Sequence, residues 1–254
     1  MTNRHKRISS FILPLLLQLP SQAAQSDTVG RIIATRKELL ASSTEDSERL
    51  RSPGYLDGRI GQIKDLIRGE ILRHLDSTQL SYSTLQQNLA SVFPKDWNGP
   101  LSLIHKQLNG LDVVIIGYSI RHGLSAIPDS TAVIEAFRKI ADRYELVDQT
   151  GPRLANSVPK LEELPTPSAN EIWILGHGQQ TCVMQYHERA RIYSFDGHGF
   201  KELWGHEPLR GASFQIEKNE VRITFDKEEG FPEMVLTLAL LPQGPREISL
   251  LRKQ

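Results

Sequence analysis

The chain has 254 residues, 39% of them apolar and 24% charged, which is enough for one large domain or two small ones and close to the soluble globular average. Wholesale disorder and any polytopic membrane class are excluded by that balance. Lys+Arg and Asp+Glu are both 30, so no global basic field exists to draw nucleic acid.

Residues 1–24 have the three parts of a cleavable signal peptide in the expected order. Arg4-His5-Lys6-Arg7 is the positive start, Phe11–Leu19 (FILPLLLQL) is the apolar stretch, and Ser21-Gln22-Ala23-Ala24 offers small residues for cleavage after Ala23 or Ala24. A nine-residue helix spans about 14 Å, against about 30 Å for a bilayer core. Removing Arg4, Lys6 and Arg7 with the leader leaves 27 basic against 30 acidic groups. The expectation is a weakly acidic mature protein that is secreted or periplasmic, with no membrane span and no nucleic-acid partner. Cys182 is the only cysteine, so no internal disulfide is available and a packed core must supply stability.

Residues 25–95 read as helical. Thr28–Ala41 places Val29, Ile33 and Leu40 near one face with Ile32 flanking it. After a polar stretch with the turn signal Pro53-Gly54, Ile60, Ile63, Ile67, Ile71 and Leu75 recur at spacings of three and four, the clearest amphipathic helix in the chain. Ser81–Phe93 fits a shorter helix ended by Pro94.

Residues 100–252 read as antiparallel strands, which makes the fold class α+β: a helical region followed by two or three stacked sheets. Leu101–Leu108 and Leu111–Ile120 flank Asn109-Gly110, a pair that accepts the positive φ angles of a type I′ hairpin turn. A weak internal repeat follows. Ile115–Tyr118 matches Ile174–His177, Ala132–Phe137 matches Ala190–Phe195, and Tyr144–Val147 matches Phe200–Trp204. Leu154–Asn170, with Pro159, Pro165 and Pro167, reads as the linker between the first two units. A third unit is predicted from Phe214–Glu217 and Val221–Phe225 around Lys218-Asn219, then Val235–Leu241 and Glu247–Leu251.

Within this region Arg191–Trp204 (RIYSFDGHGFKELW) pairs an aromatic-x-aromatic strand with an Asp196-Gly197 turn and a second strand from Phe200. It resembles a blade hairpin of the FG-GAP/VCBS-like bacterial extracellular β-propellers. The calcium loop of that family, a run of alternating acidic residues ending in Gly, has no counterpart here, so calcium is not carried over. Closed propellers have at least about four blades, and this chain has room for three. The resemblance implies a partial, propeller-like stack with an interaction or scaffolding role.

Two sets of residues are candidates for function. Trp173, His177, Tyr186, Tyr193 and Trp204 supply the side chains that would line a groove for a protein or glycan partner. His177, Cys182 and His187 form the alternative, a thiol or metal-assisted hydrolase. His198 and His206 lie nearby, but neither HExxH nor Gly-x-Ser-x-Gly spacing is present, so no metal site, catalytic residue or cofactor is assigned. The leading expectation is an exported non-catalytic binding or scaffolding protein.

Overall fold

Asn109 and Gly110 adopt φ of 53° and 79°, the left-handed pair that reverses a chain between two strands without splaying them. The hairpin that they join starts the β region of the computed structural model, which describes residues 30–35, 37–38, 55–77, 83, 101–121, 130–150, 160–182, 185–226 and 233–252. The residues expected to form a leader (1–24) and most of 78–100, including nearly all of the helix expected over Ser81–Phe93, lie outside the described residues.

Strands β1 (Ser102–Leu108), β2 (Leu111–Arg121), β3 (Ser130–Ile140) and β4 (Arg143–Thr150) form a four-stranded antiparallel meander. A seven-stranded meander follows: β5 (Lys160–Leu164), β6 (Ile172–Cys182), β7 (Gln185–Phe195), β8 (Phe200–Ile216), β9 (Glu220–Asp226), β10 (Glu233–Leu241) and β11 (Gly244–Arg252). Antiparallel sheet is therefore the dominant structure, with the helices as a minor part. β5 and its pairing with β6 correct the reading of 154–170 as a linker, because Leu161 and Leu164 are buried. Alternation over only five residues between prolines is a weak strand signal.

Strand β8 serves two layers. Its first half, to Arg210, pairs with β7, and from Arg210 onward it pairs with β9. An irregularity between Arg210 and Ser213, with Gly211 at φ 58°, marks the change. In a flat sheet β6 and β10 would lie about 19 Å apart. Instead Trp173, Leu175 and Ile192 share one core cluster with Leu236, Leu238 and Leu240. The long sheet thus folds over on itself along β8, which gives three stacked β layers.

Each interface between layers has its own core. Ile104, Val113, Ile115 and Ile134 of the first sheet meet Ile172, Ile174, Tyr193 and Phe195 of the second layer. On the other face of the first sheet, Val114, Ile116, Tyr118 and Phe137 pack against helix α1 (Tyr55–Ser77) through Ile63, Ile67, Ile71 and Leu75. The 3.6-residue spacing of those isoleucines places them on the face that the sheet covers. In the preceding helical segment, residues 30–38, the buried residue is Ile32 whereas Ile33 is 36% exposed, so the apolar face is rotated from the expected one.

The sequence matches fall on β2 and β6, β3 and β7, and β4 and β8. The β3/β7 match is in register: Ala132 and Ala190 both face the next layer, while Phe137 and Phe195 both face the previous one. The β2/β6 match is one residue out. Ile115 pairs with Ala136, and 58 residues along the chain Trp173 pairs with Ser194, so Trp173 rather than Ile174 holds the place of Ile115. A one-residue slip turns every side chain to the other face, and the apolar run on β6 conceals it because both of its faces are buried.

Candidate binding cleft

Where β6 begins and β7 ends, the pleat lays a row of side chains across three strands. Trp173 is the Cα partner of Ser194, and Ser194 of Lys201, so the three share one face of the second layer. Just beyond the strand ends, Glu171, Asp196 and Gly199 complete the lining. The β10–β11 turn, Pro242-Gln243-Gly244, closes over this platform, and the cleft between them has a volume of about 240 Å³. Trp173 and Ser194 line it at 1% and 6% exposure. The Trp173 indole Nε1 has no hydrogen-bond partner among the described residues.

Three charged side chains line the cleft. Asp196 Oδ1 accepts the backbone amides of His198 at 2.8 Å and Gly199 at 3.1 Å, closing a tight turn through Gly197 at φ 93°. Those amides, His198 foremost, hold the Asp196 carboxyl below the ordinary carboxylate range. Among the described residues neither Glu171 nor Lys201 has an ion-pair partner. The platform thus presents two carboxylates, an ammonium and a hydroxyl to a small volume roofed by the turn.

The five residues expected to line an aromatic groove go to different places. Trp173 enters the core between the second and third layers, and Tyr193, 3% exposed, enters the core between the first and second. Trp204 is half-buried against the same core as Trp173, and its Nε1 donates to Glu247 Oε1 at 3.0 Å. Tyr186 pairs with Thr181 across β6 and β7, away from the cleft end of those strands. Only Trp173 of the five lines the cleft.

His177, 5% exposed, is fixed on both sides. Its Nε2 lies 2.9 Å from Glu162 on β5, its Nδ1 lies 3.3 Å from Glu188 on β7, and its ring packs 4.3 Å from that of Phe214. Register explains the bracket, since cross-strand partners and residues two apart share a face. The same rule separates the hydrolase candidates. Position 182 lies five residues along β6 from His177, an odd number, and His187 is the partner of Gln180, three residues from His177. His187 therefore falls on the face opposite His177, and the Cys182 side chain lies outside the described residues.

The other histidines scatter. His198 Nδ1 lies 3.2 Å from Arg138 of the first sheet, and His206 packs among the rings of Trp204 and Phe225. Among the described residues no three metal-binding side chains converge, and no helix is long and apolar enough to cross a membrane.

A second polar cluster lies under α1. Glu135 on β3 is fully buried and accepts from Arg68 Nε at 2.9 Å and Nη2 at 2.6 Å. Arg68 Nη2 also donates to Gln149 Oε1 on β4 at 3.1 Å. Burial pushes the Glu135 carboxyl above its ordinary range, with Arg68 opposing the shift. The neighbouring Tyr118 hydroxyl is raised well above its ordinary value, first by burial and then by the Glu135 charge.

The cleft residues Glu171, Ser194, Asp196 and Lys201 were not among the sequence candidates. The signal that would have found them is cross-strand register, which brings residues 171, 194 and 201 together only once β6, β7 and β8 are aligned.

No protein-family model matches the chain, and no curated protein matches it. Two solved structures of an α-L-arabinofuranosidase from Fusarium graminearum, each in complex with an iminosugar inhibitor and one of them a point mutant, are similar over 63% of this chain and 50% of theirs. Identity is 10% and the TM-score is 0.37 for both, a likeness too slight to bear on either fold or activity. The chain spans about half the length of those proteins.

Proposed function

We propose that this is an exported, non-catalytic binding protein, built as a partial propeller-like stack of repeated β units and engaging its ligand at the cleft on the second layer. The observation that carries this reading is the contrast between the two candidate sites. His177 is held between Glu162 and Glu188, and the pleat puts His187 on the opposite face, so among the described residues these two histidines do not share a site. The cleft instead gathers Glu171 and Lys201, which have no ion-pair partner among the described residues, with Asp196 beside the buried Trp173. Concave sites with a few convergent polar groups are where ligands bind.

Export rests on the basic, apolar and small-residue order of residues 1–24. Expression of the full chain in a bacterial host, followed by mass spectrometry of the extracytoplasmic fraction, tests it. Cleavage after Ala23 or Ala24 is the expected result, and an intact N-terminus confined to the cytoplasm contradicts export. The non-catalytic reading fails if the purified mature chain hydrolyses glycosidic or ester substrates and loses that activity on His177→Gln.

A further inference from the structure

The chemistry of the cleft narrows what it takes. Glu171 and Asp196 only accept hydrogen bonds when ionised, Lys201 and the Trp173 indole only donate, and the Ser194 hydroxyl does both. The volume of about 240 Å³ lies below the range of roughly 300–1,000 Å³ that suits drug-sized ligands. Asp196 and Lys201 are solvent-exposed, so a ligand of that size meets charges of both signs at short range at the rim of the cleft. Charge-assisted hydrogen bonds are about twice as strong as neutral ones, so a ligand carrying both charges gains more from these groups than a neutral polyol does.

We infer that the cleft over Trp173, Ser194 and Lys201 binds a free α-amino acid, its ammonium group toward Asp196 and Glu171 and its carboxylate toward Lys201. This deepens the binding reading above and rests on it. Asp196 suits the role because its Oδ1 is already engaged by the turn amides, which fixes the carboxylate in place and leaves Oδ2 to meet an ammonium. Lys201 suits it because its place beside Ser194 is set by strand register while its charge has no ion-pair partner among the described residues. The Pro242–Gly244 turn limits the side chain that can be accommodated.

The test is calorimetric titration of the mature protein with each of the common amino acids in turn, with ethylamine, acetate and glucose as controls. Binding of at least one amino acid is expected, weakened by about tenfold or more in Asp196→Asn and in Lys201→Met, the scale of one lost charge-assisted contact. Asn keeps the acceptor that the turn amides need, and Lys201 is exposed, so both variants retain the fold; unchanged melting temperatures verify that. Ethylamine, acetate and glucose, each lacking one or both charges, bind at least tenfold more weakly. Binding of glucose in place of any amino acid would overturn the ligand class while leaving the binding reading intact. Silence across the whole amino-acid panel, or amino-acid binding indifferent to both substitutions, would overturn the inference.

Discussion

Glu135 on β3 and Tyr193 on β7 occupy equivalent places: each faces the layer before it, opposite Ile116 and Ile174 respectively, 58 residues apart. Their surroundings differ. Tyr193 meets the first sheet, and the core around it is apolar. Glu135 meets α1, and its charge is answered by Arg68 from that helix. A sheet stacked on a sheet is held in register by many interdigitating rows. A single helix lying across a sheet has fewer constraints against sliding or rotating, and a buried pair that works at one register supplies one. Asp76 at the other end of α1 reinforces that placement by accepting the Tyr144 amide of β4 at 2.7 Å.

The sharpest way to break this contrast is to remove the cation. Arg68→Met leaves Glu135 buried without its partner and is expected to cost about 3–5 kcal/mol in denaturant unfolding. Adding Glu135→Leu to that variant should recover most of the loss, as replacement of a whole buried pair commonly does. Additive losses in the double mutant would mean that the pair only fills space.

A smaller effect is readable in pH. The folded-state carboxyl of Glu135 lies above its unfolded value, so the folded form holds the proton more tightly. Its favourable contribution is complete below the ordinary carboxylate range and is lost as pH rises through the raised folded value. Glu135→Gln removes that component. The stability of wild type relative to the Gln variant should therefore decline as pH is raised from about 4 to neutrality. A difference independent of pH, followed by thermal melts, would contradict the assignment of burial as the leading cause.

The smallest change concerns the β3–β4 turn, where Ala141 adopts φ 54°. The left-handed region costs an alanine about 1 kcal/mol that glycine does not incur, against a larger loss of unfolded-chain freedom for glycine. Ala141→Gly is expected to raise stability by roughly 0.5 kcal/mol, measured as a shift in the denaturant midpoint at unchanged slope.

Sequence reading reached the parts of this molecule governed by local periodicity. The isoleucine row of α1, the Asn109-Gly110 hairpin and the strands after Phe214 follow from spacings of three to four, from a positive-φ pair and from alternation. It missed β5 because five residues between prolines show too little alternation to stand out. It misaligned β2 on β6 because a strand buried on both faces has no polar side to mark its register. Trp173 and Tyr193 show why aromatic content does not separate groove from interior: in stacked sheets an aromatic on either face can be core. Glu171 just precedes β6, Ser194 lies on β7 and Lys201 on β8, and nothing in their local sequence connects them. Only the alignment of β6, β7 and β8 does.

The most direct measurement compares melting temperatures with and without saturating amino acid in three proteins: wild type, Asp196→Asn/Lys201→Met, and His177→Gln/Cys182→Ser. A ligand bound only by the folded state raises the melting temperature in proportion to its affinity. The account predicts that the ligand-induced rise persists in His177→Gln/Cys182→Ser and disappears in Asp196→Asn/Lys201→Met. A rise that survives the loss of Asp196 and Lys201 but vanishes with His177 and Cys182 would contradict it.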